Sequence, residues 1–396
     1  MMLDHVKNKA AEYFEDIKKL RRHLHQHPEL SFEEFKTQAF VKEVLALKGI
    51  ASLQIANTGL VAIIKGTKAE SDRVIALRGD MDALPITEEN DLVYSSTNQG
   101  VMHACGHDVH TSSLLGTAFI LNDLRDQFSG TVKLLFQPGE ETLPGGASVM
   151  IKEGALENPT PTAIFGQHVY PDMEVGKLGF RPGQYMAACD ELHIDIIGKG
   201  GHGALPHKTI DAVLVASHVV VGLQSIISRN KKPDAPSVLS IGKFIANGAT
   251  NVIPEKVHLE GTFRSFDEEW RAEAHQLIKR FIHQTAEAYG AKAMVDIRNG
   301  YPSVYNNPEL TAKARARAVD YLGEANVVDL DLRMTGEDFA YFSQAMPGSF
   351  YRLGTRNETE GITSALHTST FNVDERCLEI GSGFMAYLAM RELEEK

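Results

Sequence analysis

The feature that most restricts this chain is a set of short, mainly apolar, β-rich runs. They are Leu60-Val61-Ala62-Ile63-Ile64, Val74-Ile75-Ala76-Leu77, Val132-Lys133-Leu134-Leu135-Phe136 and Ala163-Ile164-Phe165. Runs this short are strands, and strands that do not alternate with polar residues are buried on both faces. A helical stretch at about 107–126 separates the second run from the third, and the spacing of Val6, Ala10, Tyr13, Phe14, Ile17, Leu20 and Leu24 predicts a helix ended by Pro28. A second helix is expected over 33–47, closed by Gly49. Apolar strands mixed with helices predict an α/β fold: an open sheet covered on both sides.

From about 187 to 299 the pattern changes. Leu192, Ile194 and Ile196 alternate along a strand, a helix is expected over 211–228, strands near 237–245 and 255–263, a helix over 268–289 and a last strand over 293–297. The order βαββαβ is that of a ferredoxin-like sandwich complete in itself. It is expected to be inserted into the first domain, giving a catalytic domain of 1–186 and 300–396 around an insert of 187–299. A chain of 396 residues is long enough for two domains.

The formal charge of −12 argues against nucleic acid or an anionic membrane as partner. Neither a signal peptide nor an unbroken apolar run of about 18 residues is read along the chain. Cys105, Cys189 and Cys377 are too few and too scattered for a disulfide framework, so a reducing, cytoplasmic location is expected.

Chemistry concentrates in Met102-His103-Ala104-Cys105-Gly106-His107-Asp108-Val109-His110. A thiolate and an imidazole two residues apart can bind one divalent ion or bridge two. The predicted helix start should also lower the thiol's pKa. The same residues would serve as a capping segment with a buried cysteine and surface histidines. Gln137-Pro138-Gly139-Glu140-Glu141 follows a strand. Adjacent carboxylates in an extended or turning segment point in different directions, so one can hold metal while the other takes a proton from water. A solvated turn reads the same way. Arg78-Gly79-Asp80-Met81-Asp82 and Gly166-Gln167-His168 each follow a further strand, and sites of open α/β sheets gather beyond the carboxyl ends of strands. His367 has no local mark that separates it from a surface histidine.

Taken together, Arg78-Gly79-Asp80-Met81-Asp82-Ala83-Leu84-Pro85, His103-Ala104-Cys105-Gly106-His107-Asp108, Gln137-Pro138-Gly139-Glu140-Glu141, Gly200-Gly201-His202-Gly203-Ala204-Leu205-Pro206-His207, Thr335-Gly336-Glu337-Asp338-Phe339 and Leu366-His367 resemble the amidohydrolase branch of the M20 metallopeptidase family. The opening Arg22-His23-Leu24-His25-Gln26-His27-Pro28-Glu29-Leu30 fits that family's N-terminal signature. The resemblance implies two divalent ions per subunit (Zn, Mn, Co or Ni), held by Cys105, His107, Glu141, His168 and His367. Glu140 would be the general base, and Asp82 would orient a ligand. Asp80 stands where peptidase members carry a metal-binding histidine, which narrows the assignment to the N-acyl branch. The insert would be a lid and homodimerisation module, with His202 stabilising the oxyanion in the partner's site and Asn251 and Arg264 binding the substrate's carboxylate. The implied reaction is hydrolysis of N-acyl amino acids, with N-acetyl or N-benzoyl groups among the candidates. A dipeptidase or aminopeptidase on the same fold is the nearer alternative, and a non-catalytic binding homologue the more distant one. From their spacing, His23, His25 and His27 are read as structural or rim-lining.

Overall fold

The computed structural model describes residues 2–394. They form two compact units: one of residues 2–183, 305–331 and 338–394, the other of residues 184–304 and 332–337. The short return 332–337 thus packs with the inserted segment, although it lies far along the chain from it.

The first unit is built on an eight-stranded mixed sheet. In spatial order its strands are Ser52–Ile55, Gly59–Lys65, Thr131–Gln137, Val74–Asp80, Ala163–Glu174, Gly348–Arg356, Leu178–Phe180 and Val327–Asp329. The middle of the sheet is parallel: Val74–Asp80 pairs on either side with Thr131–Gln137 and Ala163–Glu174, and the latter pairs with Gly348–Arg356. These strands are nearly all buried, as their mainly apolar character requires. An antiparallel hairpin, Ser52–Ile55 with Gly59–Lys65, extends one edge.

Both faces of the sheet are covered, and the glycines show how closely. A Cβ on Gly79 would come within 3.0 Å of the His110 carbonyl of the helix His107–Asp123. A Cβ on Gly166, on the neighbouring strand and the other face, would lie 2.9 Å from Phe339 of the helix Phe339–Ala345. The helix His107–Asp123 is buried from His107 through Leu121, which is why its sequence lacks a polar stripe. The helices Met2–Gln26 and Cys377–Glu394 shield it; Ile17 and Ser382 press on Gly116 closely enough that any side chain there would collide.

Two strands run further than their apolar runs suggest. Val74–Asp80 takes in Arg78 and Asp80, and Ala163–Glu174 takes in Gly166, Gln167 and His168, which the sequence pattern sets beyond the strand end. The reason is tertiary: Gly166, Gln167 and His168 pair in register with Phe350, Tyr351 and Arg352, so the ladder continues through polar residues.

The second unit holds an antiparallel four-stranded sheet in the order Ser237–Ala246, Lys256–Ser265, Ala188–Ile197, Lys292–Asn299. The helices Ala212–Arg229 and Glu268–Ala288 carry Val215, Val219, Leu223, Ile278 and Ile282 into one core with Leu192, Ile194, Ile196 and Phe263 of the sheet. Asp211 and Asp267 cap the two helices through their carboxylates. By length and composition Ala212–Arg229 could cross a membrane, a property that counting unbroken apolar residues misses because Ser217, His218, Gln224 and Ser225 interrupt it. Its buried face belongs to this core.

Asp190 anchors the second unit. It is 1% exposed and accepts from Arg271 Nε at 2.9 Å, Arg271 Nη2 at 2.5 Å, His275 Nε2 at 2.7 Å and the Gly300 amide at 3.0 Å. Burial alone would raise its pKa, but Arg271 and His275 outweigh it and hold it below the ordinary 3.8. A carboxylate depressed on folding adds stability that is present above its unfolded pKa and lost as pH falls through the folded one. Calorimetry should therefore show the second unit losing stability below about pH 3.8. Asp190→Asn should remove that acid dependence and, by leaving Arg271 with only Glu268 and the Gly300 carbonyl, cost about 1–3 kcal/mol at neutral pH.

Candidate metal centre

The carboxyl ends of the central parallel strands bring Asp80, Asp82, Glu140 and Glu141 to one crevice, and the start of the helix His107–Asp123 enters it from the side. Gly106 makes the entry possible: it has φ +83°, and a Cβ there would sit 2.4 Å from Val169. That turn points Cys105 and His107 into the crevice. His168 joins them from inside its strand, and His367 from a loop. The amide of His367 donates to the Ala104 carbonyl at 2.8 Å, and its φ of +61° is a conformation few non-glycine residues adopt.

The donor atoms converge. Cys105 Sγ lies 3.4 Å from His168 Nε2 and 3.3 Å from His367 Nε2. His367 Nε2 is 3.3 Å from Glu141 Oε1, and His107 Nε2 is 3.9 Å from the same oxygen. Cys105, His107 and His168 form one triad, and Cys105, Glu141 and His367 a second, each with its ligand atoms within 4.8 Å of one another. The thiol belongs to both. Ligands on a tetrahedral ion with bonds of about 2.0–2.3 Å stand about 3.3–3.8 Å apart, which is the spacing seen here.

The second nitrogens of two histidines are already committed. His107 Nδ1 faces Asp82 Oδ1 at 3.0 Å, and His168 Nδ1 donates to the Val169 carbonyl at 2.7 Å. Each ring therefore turns Nε2 into the crevice, the arrangement that orients metal-binding imidazoles. His107 Nε2 is buried without a hydrogen-bond partner among the described residues. Asp82 Oδ2 accepts from the Glu141 amide at 2.9 Å and from Ser31 Oγ at 2.7 Å, so one carboxylate holds two of the candidate ligands.

Electrostatics agree with the geometry. Burial alone would lower His107, but Asp80, Asp82 and Glu141 push it up to about 10. Burial and then Glu141, Glu140 and Asp80 drive the Cys105 thiol well above its ordinary value. The lowered thiol pKa expected from the helix start is thus reversed, because burial among carboxylates outweighs the helix terminus. A crevice that favours protonation at an imidazole and a thiol together lacks positive charge, and a divalent cation supplies it. These residues fit a divalent ion that accepts thiolate, imidazole and carboxylate.

His110 does not join the ligands. Its Nδ1 faces Asp80 Oδ1 at 2.6 Å and its Nε2 accepts from the Val169 amide at 2.9 Å. Asp80 is also tied to Arg78, and so serves to fix the surrounding framework. Glu140 is 6% exposed; its Oε1 accepts from the Asp338 amide at 3.3 Å and its Oε2 stands 4.0 Å from His107 Nε2. Beneath it lies a set that sequence reading did not identify. The Asp338 carboxylate accepts from Arg78 Nη2 at 2.9 Å, from Gln137 Nε2 at 2.8 Å and from the Ala147 amide at 3.0 Å. The sequence marks Gln137 and Asp338 only as parts of motifs. His25, for which spacing suggested no partner, is buried between Asp108 Oδ2 at 2.8 Å and Glu88 Oε1 at 3.1 Å.

In the second unit, His202 lies on the strand Gly201–His202, which pairs with Val252–Ile253. It is exposed, with Nδ1 accepting from the Ala204 amide at 3.0 Å. Asn251 is beside it, its carbonyl accepting from the Gly203 amide at 2.8 Å. Arg264 stands apart from both on the main sheet of that unit, opposite Cys189 and Val238.

With this geometry in hand, comparison with known proteins is decisive. The family model described as Peptidase family M20/M25/M40 matches residues 76–391. The chain belongs to that family. It is 42% identical over 377 residues to the N-acetyl-L-cysteine deacetylase of Bacillus subtilis (strain 168), covering 95% of this chain and 88% of that one. It is 45% identical over 310 residues to the N-acyl-L-amino acid amidohydrolase of Geobacillus stearothermophilus, covering 78% and 83%. Among solved structures it resembles the YXEP protein of Bacillus subtilis, described as a dinuclear metal-binding peptidase from the M20 family. The TM-score is 0.84 at 36% identity, and the match covers 97% of this chain and 99% of that one.

Metal removal gives a direct check. A ligand bound only to the folded state at 100 times its Kd stabilises by about 2.7 kcal/mol. Chelation should lower the melting temperature of the first unit, and added Zn, Co, Ni or Mn should restore it. A melting temperature indifferent to both treatments would refute the cation as partner of this cluster.

Proposed function

We propose that this member of the M20/M25/M40 family hydrolyses the amide bond of N-acyl amino acids, releasing a carboxylic acid and a free amino acid. The observation that carries the reading is the meeting of five donors with one adjacent, separately held carboxylate. Cys105, His107, Glu141, His168 and His367 would hold two divalent ions (Zn, Mn, Co or Ni). Such ions acidify water and polarise a carbonyl oxygen.

The chain's own residues do the rest. Glu140 takes a proton from the attacking water as the new C–O bond forms, and later gives it to the departing amine nitrogen as the C–N bond breaks. Its neighbour Glu141 is turned away from that task by the bond from its amide to Asp82, which also fixes His107. His202 acts in the site of a partner copy, donating to the oxyanion of the tetrahedral intermediate, where charge develops. Asn251 and Arg264 receive the substrate's carboxylate, for which a planar guanidinium offers two parallel N–H groups. We assign residues 187–299 the role of lid and homodimerisation module. The edge strand Ser237–Ala246 leaves Phe244 43% exposed, and the helix Ala212–Arg229 leaves Val221 74% and Leu214 48% exposed, which gives a second copy apolar surface to cover. Three free cysteines suit a reducing, cytoplasmic compartment.

The names of the two relatives favour blocked amino acids over peptides with a free amine. A panel of N-acetyl amino acids, N-benzoyl amino acids and unblocked dipeptides, run on metal-stripped and metal-restored protein, tests this. Metal-dependent release of amino acid from the blocked substrates is the expected outcome. Turnover of unblocked dipeptides alone would transfer the protein to the peptidase reading. Glu140→Gln should lower kcat by about 10²–10⁴-fold while substrate binding, followed by calorimetry, persists.

A further inference from the structure

The opening motif that ends in Pro28-Glu29-Leu30 runs on into Ser31-Phe32-Glu33-Glu34, and the mechanism above gives this stretch no task. The structure places it directly behind the base. Glu34 is fully buried. Its Oε1 accepts from the Gly139 amide at 2.8 Å and the Phe32 amide at 2.9 Å, and its Oε2 accepts from Thr58 Oγ1 at 2.5 Å.

Gly139 immediately precedes Glu140. It has φ +55°, and a Cβ there would meet the Phe32 ring at 2.5 Å. Phe32 is itself held at φ +64°, a costly conformation for an aromatic residue. The ring closes one side of the turn, while the Gly139 carbonyl accepts from the Gly146 amide at 2.9 Å. Three residues before Glu34, Ser31 bonds the same Asp82 oxygen that receives the Glu141 amide. The stretch therefore touches both residues flanking the base in sequence: Gly139 through Glu34, and Glu141 through Asp82.

Burial and the nearby charge of Asp82 push the Glu34 carboxyl up to about 7, against the hydrogen bonds it receives. An apolar side chain of similar size would fill the same space at lower cost. What the carboxylate adds is its hold on two amides and a hydroxyl.

We propose that Glu34, acting through Gly139, is a positioning residue that sets the carboxylate of Glu140 for proton transfer. This rests on Glu140 being the base. Glu34→Ala releases the turn and should lower kcat by about 10–100-fold, the usual loss when a supporting partner of a site is removed. KM and the amount of bound metal, measured by elemental analysis, should stay at their wild-type values. Glu34→Gln should recover most of kcat, because its amide oxygen can accept from the same two N–H groups. If Glu34→Ala does not fold, Thr58→Val carries the test, since it frees one oxygen of Glu34 without opening the core; a several-fold fall in kcat at constant KM is expected.

A wild-type kcat in Glu34→Ala, or in Thr58→Val where that variant stands in, overturns the proposal. So does a Glu34→Gln variant as impaired as Glu34→Ala, or a fall in kcat that only mirrors a fall in bound metal. Glu140→Gln separates the two levels. If it retains full activity, the reading of the base fails; if it is inactive while Glu34→Ala is active, only the positioning role fails.

Discussion

Everything at the crevice depends on negative charge held out of water. Asp80, Asp82 and Glu140 are each at most 6% exposed, and Glu141 and the Cys105 thiol adjoin them. Removing a carboxylate from water costs several kcal/mol unless partners replace the lost hydration. Arg78 meets part of this demand through Asp80 and Asp338, and amides and hydroxyls meet more. The remainder shows in the upward push that Asp80, Asp82 and Glu141 exert on the pKa of His107 against its burial. On the proposed function, a cation among the five donors discharges that remainder.

The parallel sheet explains why the demand arises where it does. Strand ends that stop side by side bring residues distant in sequence to one line, and a buried helix start supplies Cys105 and His107 across from them. This much was legible in the chain: apolar runs followed by Asp, Glu and His name both the sheet and the crevice. His168 was read as lying past its strand, because the apolar run stops at Phe165; only the pairing with Gly348–Arg356 extends the ladder through it. His367 was invisible locally. Its place is set by a hydrogen bond from its amide to the carbonyl of Ala104, more than two hundred residues earlier, and by a left-handed backbone that no sequence pattern announces.

The supporting residues were harder still to read. Glu34 stands next to another glutamate, Asp338 also follows a glutamate, and such pairs ordinarily mark solvated surface. Burial reverses their meaning, and burial is a tertiary fact. The insert offers the opposite case. Its βαββαβ order was plain from alternation and helix spacing, since each element carries its own face of one small core. Its candidate substrate contacts were not, because His202 and Asn251 are exposed and Arg264 lies on an ordinary sheet position.

Adjacent glutamates doing different work is the point on which the chemistry turns. Consecutive residues in a turn diverge, but divergence alone does not keep a flexible carboxylate at one task. Here each is held from a different direction. The Glu141 amide is tied to Asp82, which in turn faces His107, so the backbone of this glutamate is fixed beside that histidine. Glu140 takes its bond from the Asp338 amide, and Asp338 is fixed by Arg78, Gln137 and Ala147. Gln137 joins Arg78 to Asp338: its Oε1 accepts from Arg78 Nε at 2.7 Å while its Nε2 donates to Asp338. The glutamine ends the same strand from which the Glu140 turn departs. On the proposed reading of Glu140 as the base, little reorganisation is needed when the proton moves, because the dipoles that orient it are set by the sheet before any substrate arrives.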